Sequence, residues 1–112
     1  MKYSFSSRFR EGAGTNPEEL IGAALAGCFS MALSLMLGDQ NFKPEKIETE
    51  ANVEIKMEED KIYISTITLN TNAKIPGIEK EEFRRIAYSA KDNCPVSQAL
   101  KGVEIKLIAE LT

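Results

Sequence analysis

IGAALAGCFSMALSLML, residues 21–37, is an uninterrupted run without a charged side chain. The residues before it are typical of a helix start: Asn16 suits the N-cap, Pro17 the first helical position, and Glu19 a capping box. Gly38 follows the run and suits a left-handed helix cap. Because leucine, alanine and methionine favour helix and no proline interrupts them, the run predicts one long helix that ends near Gly38.

Apolar side chains fall on every face of this predicted helix, which is typical of a helix that is buried all round or that spans a membrane. Its length reaches the threshold for a span. However, the flanking residues Glu18, Glu19 and Asp39 are acidic, and the run has neither basic flanks nor a Trp/Tyr belt. The sequence therefore favours a core helix, covered by a sheet or by a partner chain, over a membrane span.

The composition limits the function classes. The 112 residues carry 14 Lys and Arg against 17 Asp and Glu, and the basic residues are scattered, so nucleic acid and anionic membranes are poor partners. The sequence contains no histidine, which excludes Ser–His and Cys–His nucleophile pairs and histidine zinc sites. We therefore expect no metal and no cofactor. No apolar signal-peptide core follows Met1, so we expect a cytoplasmic protein with reduced thiols.

Alternating apolar and polar residues predict four strands. They cover residues 1–9, 47–57, 61–73 and 103–111. In the third strand two apolar residues are out of phase with the inward set, and a bulge near Ser65 would reconcile them. That inward set is Tyr63, Ile67, Leu69 and Ala73.

Two more helices follow the predicted hairpin. Residues 79–91 carry apolar side chains at helical spacing, and a short helix runs to Leu100 with Cys94 as its N-cap. Because helices do not alternate one for one with strands, the order favours a single α+β domain over residues 1–112, with an antiparallel sheet.

Cys28 and Cys94 are the candidate nucleophiles. Cys94 precedes Pro95, so a thiolate there would meet unpaired N–H groups and the positive end of a helix dipole. Cys28 lies about 18 Å along the axis from the start of its helix, too far for that helix end to activate it. On local chemistry alone Cys28 is inert packing and Cys94 is the reactive group, so Cys28 would need a cation from elsewhere.

Three segments, in this order along the chain, resemble motifs of one known family. They are Arg8-Phe9 followed by GTNPEELIGAA at residues 14–24 and AGCFSMAL at residues 26–33, IPG at residues 75–77, and NCPVSQAL at residues 93–100. Together they resemble the OsmC/Ohr family, the osmotically inducible and organic hydroperoxide resistance proteins, which are thiol peroxidases. The resemblance spans nearly the whole chain and is closer to the OsmC branch. Leu25, between the two parts of the first segment, departs from the motif, since OsmC-branch members often have histidine there.

The resemblance implies an OsmC-like fold with a long central buried helix, in an intertwined homodimer. It makes Cys28 the peroxidatic thiolate and Cys94 the resolving cysteine, which condenses with the Cys28 sulfenic acid to form a disulfide. Arg8 would hold Cys28 ionised, and Glu18 would orient that guanidinium. The family also suggests a lipoyl-type dithiol as the reductant. An apolar pocket that includes Phe29 would favour an organic hydroperoxide over hydrogen peroxide, with Met31 as a second wall.

The spacing of Glu18 and Cys28 adds a geometric argument. The two are ten residues apart on one helix, about 15 Å along its axis. If both serve one site, the simplest arrangement is a dimer in which one chain's helix start meets the other chain's Cys28.

Several alternatives stay open. An edge-strand surface charge is the alternative for Arg8, and a dipole partner in the first helical turn is the alternative for Glu18. Family members usually carry further residues ahead of the position of Met1, which leaves open how the sheet edge is covered. The alternative functions are a non-catalytic domain that binds a small molecule or lipid, and an interaction module that dimerises through the long helix.

Overall fold

The computed structural model describes residues 16–112. The strand predicted at residues 1–9 lies outside them, and so does Arg8. The described elements, in chain order, are α1 Pro17–Asp39, β1 Lys46–Glu58, β2 Lys61–Lys74, α2 Lys80–Asn93, α3 Pro95–Ala99 and β3 Glu104–Leu111. The α+β class and the order of these elements agree with the sequence prediction.

Helix α1 begins and ends close to the predicted residues, but its C-terminal cap differs from the prediction. Asn16 is the N-cap in extended conformation, and its side chain accepts a hydrogen bond of 2.9 Å from the Glu19 backbone N–H. The prediction of Gly38 as a left-handed cap is wrong, because α1 continues through Asp39. The left-handed residue is Asn41, with φ of 68°. Asparagine tolerates this conformation, so the chain turns there instead.

The described sheet has three strands in the order β1-β2-β3. The expected antiparallel arrangement holds for β1 and β2, whereas β2 and β3 are parallel, so the sheet is mixed. The chain leaves β2 and returns to β3 through α2 and α3. A crossover of this length can join parallel strands, which a short hairpin cannot do.

The bulge predicted in β2 is present at Ser65. Glu54 pairs with Thr66 and Ile55 pairs with Ile64, so Ser65 is the extra residue between them. The extra residue changes the alternation, which places Ile64 against the core. For the same reason the inward position predicted for Tyr63 is wrong, and its side chain is 39% exposed.

One face of α1 forms the centre of the core. Four of its side chains, spaced four residues apart, are fully buried: Leu25, Phe29, Leu33 and Leu37. They belong to one apolar cluster with residues of β2 and with the predicted inward face of α2, which are Ile67, Leu69, Ala73, Phe83, Ile86, Ala87 and Ala90. Among residues 16–112, α1 is the one helix with the length and mean hydropathy of a membrane span. Its buried face identifies it as the core helix of a globular domain.

Within residues 16–112, no element covers the opposite face of α1. Ala24, Gly27, Met31 and Leu35 follow one another at helical spacing, and all four are exposed. Met31 is 75% exposed and Leu35 67%. We call these four residues the bare face of α1. A three-stranded sheet and a helix cover one side of an apolar helix, so an apolar strip remains in solvent.

Gly22 sets how closely α1 approaches β1. A methyl group at this position would lie 2.7 Å from Val53 Cγ2 and 3.4 Å from Ala51 Cβ. Gly22→Ala is therefore expected to lower the free energy of unfolding by roughly 1–3 kcal/mol, as overpacking does. Gly38→Ala is the matched control, because a methyl group there meets no atom within 4 Å. That control should gain roughly 0.5–1 kcal/mol. Urea unfolding measures both changes, and a Gly22→Ala protein as stable as the parent would contradict the close approach.

Candidate active site

Cys94 lies at the joint between two helices. Its backbone N–H donates to Ala90 O at 3.1 Å and ends α2, while its carbonyl accepts from the Gln98 N–H at 3.1 Å and starts α3. The backbone at Cys94 is extended, with φ of −71° and ψ of 144°. Pro95 favours that conformation in the residue before it. The predicted N-cap position of Cys94 is thus confirmed, and its side chain is fixed with 1% of its surface exposed.

Cys28 lies half-buried in the middle of α1, against this joint. The Val96 backbone N–H and the Cys94 side chain both lie close enough to its thiol to change its pKa. Both cysteines are free thiols. The fold therefore brings together the two cysteines that are 66 positions apart in the sequence.

Burial is the largest influence on the Cys28 thiol, and it raises the pKa. The Val96 N–H lowers the pKa, whereas the hydrogen bond and the charge of Cys94 raise it further. The net pKa lies above the ordinary value of a cysteine, so these surroundings favour the neutral thiol. In the described part of the chain, no lysine or arginine acts on this pKa. The cation whose need was inferred from the sequence is therefore not supplied by residues 16–112.

The contribution of Val96 was missed in the sequence. The first N–H groups of any helix lack intrahelical partners, and Pro95 marks the start of α3. The sequence therefore contained the signal for free N–H groups after Cys94. The sequence did not show that tertiary packing directs one of these N–H groups towards Cys28 rather than towards Cys94.

Ser97 is the second polar neighbour of Cys94. Its Oγ lies 3.0 Å from Cys94 Sγ, and either atom can donate the hydrogen. Ser97 is itself buried, with 8% of its surface exposed. The Cys94 side chain makes no capping hydrogen bond with α3. The described contacts therefore connect three groups in a row: Cys28 Sγ, Cys94 Sγ and Ser97 Oγ.

Glu18 lies apart from the cysteines within the single chain. It is half-buried in the first turn of α1 and lines a groove of about 600 Å³ between α1 and β1. Ten residues of helix separate it from Cys28, which is about 15 Å along the axis. The described chain therefore does not bring Glu18 to Cys28, and Arg8 lies outside the described residues.

The apolar pocket expected around Phe29 and Met31 is not formed by these two residues in one chain. Phe29 is fully buried in the core, whereas Met31 is 75% exposed on the bare face of α1. Side chains that are two positions apart on a helix point to nearly opposite sides of it. They cannot wall the same cavity of a single chain.

No metal site is evident within residues 16–112, where no three His, Cys, Asp or Glu side chains cluster as ligands. The described site consists of the thiols of Cys28 and Cys94, which α1 and the α2–α3 joint hold together.

Comparison with known proteins identifies the family. A family model described as OsmC-like protein matches residues 10–108. The chain belongs to the OsmC/Ohr family. It is 50% identical over 109 residues to peroxiredoxin OsmC of Escherichia coli K12, an alignment that covers 97% of this chain and 76% of that protein. It is 36% identical over 96 residues to organic hydroperoxide resistance protein OhrB of Bacillus subtilis 168, covering 84% and 68%.

A solved structure confirms the OsmC-like fold. The crystal structure of Bacillus subtilis OhrB superposes with a TM-score of 0.74 at 33% identity and covers 90% of this chain and 73% of that one. The higher identity to the OsmC relative than to OhrB places this chain nearer the OsmC branch, as the sequence motifs predicted.

Proposed function

We propose that this protein is a cysteine-based peroxidase that reduces organic hydroperoxides to alcohols, with Cys28 as the attacking thiolate and Cys94 as the resolving thiol. The observation that carries the proposal is the contact between the two free thiols across α1 and the α2–α3 joint. The names of the relatives, a peroxiredoxin and organic hydroperoxide resistance proteins, support both the reaction and the substrate class.

The reaction proceeds in two steps on the protein. The Cys28 thiolate attacks the outer oxygen of the hydroperoxide, the O–O bond breaks, and the alkoxide leaves as an alcohol after it takes a proton. Cys28 is then a sulfenic acid. The Cys94 sulfur attacks the Cys28 sulfur, the S–O bond breaks, and water leaves as the disulfide forms. A dithiol reductant, for which the family suggests a lipoyl type, returns both cysteines to thiols.

Arg8 supplies the cation that the buried thiol requires. Burial and Cys94 both raise the pKa of Cys28, so a thiolate at neutral pH needs an opposite charge beside it. Arginine stays charged when it is partly buried, and its planar fork pairs with a carboxylate through two hydrogen bonds. Glu18 is the carboxylate that orients this guanidinium. The matching positions of both residues in the family motif support these roles.

A homodimer explains how Glu18 contributes to a site that its own helix holds about 15 Å away. The bare face of α1 is an apolar strip that one chain leaves in solvent, and a second copy of the chain would cover it. In that pairing the helix start of one protomer lies near Cys28 of its partner. The protein acts in the cytoplasm as a homodimer, with no nucleic acid or membrane partner, and its net charge of −3 is consistent with this assignment.

The thiol stoichiometry tests the reaction. Cumene hydroperoxide added to the reduced protein should consume two thiols per chain and form a Cys28–Cys94 disulfide, detected by mass spectrometry. Cys28→Ser should abolish consumption, and Cys94→Ser should leave a sulfenic acid at Cys28 that dimedone labels. Unchanged thiol counts under excess hydroperoxide would contradict the proposal and favour a non-catalytic binding domain of the same fold.

A substitution on the bare face of α1 tests whether this face forms the dimer interface. Leu35→Lys places a charge in the proposed interface and should shift the protein from dimer towards monomer, measured by light scattering after size exclusion at micromolar concentration. Ile108→Lys on β3 is the matched control, because Ile108 is also apolar and 50% exposed but lies outside α1. It should remain dimeric. A parent protein that is monomeric under these conditions would contradict the proposed assembly.

A further inference from the structure

The surroundings of Cys94 pose a chemical problem for the proposed function. Its side chain is 1% exposed and belongs to the apolar core cluster. A resolving cysteine must lose its proton to attack the sulfenic acid, and a buried anion without a hydrogen-bond donor is costly. In the described chain, the polar side chains in contact with its sulfur are those of Cys28 and Ser97. Cys28 is the reaction partner, which leaves Ser97 to support the sulfur.

We propose that Ser97 is a positioning residue for Cys94, whose hydroxyl holds the resolving sulfur and stabilises it as a thiolate during disulfide formation and disulfide opening. This inference rests on the proposed function and deepens it. Its basis is the 3.0 Å contact between Cys94 Sγ and Ser97 Oγ, with both residues buried.

A hydroxyl fits this task because it donates and accepts. It accepts a hydrogen bond from the neutral Cys94 thiol, and it rotates to donate one to the thiolate. The hydrogen bond can therefore form whether the Cys94 thiol is neutral or ionised, because either Cys94 Sγ or Ser97 Oγ can be the donor. A hydrogen bond to the charged form favours that form. Neither an alanine nor a valine at position 97 could provide it.

The placement of Ser97 also connects the buried sulfur to solvent. Ser97 lines a small open cavity of about 220 Å³, and Cys28 is not among the residues that line it. The charged side chains on that cavity are Lys91 and Asp92 from α2 and Lys101 after α3, and Ile105 closes it from β3. Lys91 pairs with Asp92 at 3.3 Å. A proton released by Cys94 can therefore pass to the hydroxyl and on to water in this cavity.

The first step that Ser97 serves is disulfide formation. The Cys94 thiol passes its proton to the Ser97 hydroxyl as the hydroxyl releases its own proton to water in the cavity, and the Cys94 sulfur attacks the sulfur of the Cys28 sulfenic acid. The S–S bond forms, the S–O bond breaks, and the oxygen leaves as hydroxide, which takes up a proton and departs as water. Cys94 is oxidised, and the Cys28 sulfur is reduced from sulfenic acid to disulfide.

The second step is disulfide opening by the dithiol reductant. Cys28 is half-buried, whereas Cys94 is almost fully buried, so the reductant's thiolate attacks the Cys28 sulfur. A mixed disulfide forms there and the Cys28–Cys94 bond breaks. Cys94 leaves as a thiolate that Ser97 stabilises and then takes up a proton. The second thiol of the reductant releases Cys28 and closes the reductant's own disulfide.

A matched pair of variants at position 97 separates the hydroxyl from packing. Ser97→Thr keeps the hydroxyl, and Ser97→Val has nearly the same volume as threonine without it. The reduced proteins are mixed with one equivalent of cumene hydroperoxide. Dimedone trapping of the Cys28 sulfenic acid and the appearance of the disulfide are followed separately, between pH 5 and pH 9. Ser89→Ala on α2 is a control for the loss of a serine hydroxyl near the site.

We expect all variants to form the Cys28 sulfenic acid at the parent rate. Ser97→Val should form the disulfide about 10- to 100-fold more slowly, the range of one hydrogen bond to a charged group. The pH of its half-maximal rate should move upward, whereas Ser97→Thr and Ser89→Ala should follow the parent. Equal disulfide rates and pH profiles for the Thr and Val variants would overturn the role of Ser97. A parent protein that forms no sulfenic acid would instead overturn the proposed function.

Discussion

The contact between the middle of α1 and the joint of α2 and α3 is the interaction on which the site depends. It places Cys28 against the Val96 N–H and the Cys94 sulfur. At the joint, the Cys94 backbone ends one helix and starts the next through its own hydrogen bonds. Pro95 favours the extended conformation at that point. A short helix therefore has a specific task here, which is to present a sulfur and an N–H group to the face of a longer helix.

The same contact also supports the homodimer proposed above. Cys28 is removed from water enough for burial to raise its pKa, and the described residues provide no cation to oppose that effect. One face of α1 packs into the core, and the opposite face carries the exposed apolar strip. The acidic first turn lies at the N-terminal end of the helix. A second copy of the chain would bury the strip and supply the distant carboxylate in one arrangement.

Local patterns determined most of the fold. Asn16 caps α1 through its own side chain, and the two phases of β2 required the bulge found at Ser65. Both features arise from neighbours in the sequence. The end of α1 was predicted to within one residue, but the left-handed residue after it is Asn41 and not Gly38, because both residue types are compatible with that conformation. The parallel pairing of β3 could not be read from its alternation, because alternation gives the faces of a strand and not its direction.

The site was only partly predictable for a related reason. The motif resemblance drew attention to both cysteines, but no local rule placed Cys28 beside the Val96 N–H or Ser97 beside the Cys94 sulfur. These contacts join elements that are far apart in the chain or depend on which way a helix start faces. Phe29 and Met31 show the converse, since two apolar neighbours in the sequence lie on opposite sides of α1.

The proposed function requires that a guanidinium convert the half-buried Cys28 thiol into a nucleophile. The most direct measurement is the rate of Cys28 alkylation by iodoacetamide as a function of pH, resolved by mass spectrometry, in the parent protein, Arg8→Ala and Arg10→Ala. With Arg8 present, the pKa of Cys28 should lie below the ordinary cysteine value. In Arg8→Ala it should rise above that value, because burial and Cys94 then act unopposed, while Arg10→Ala should match the parent. A parent protein in which Cys28 titrates above the ordinary value, unchanged by Arg8→Ala, would contradict the account.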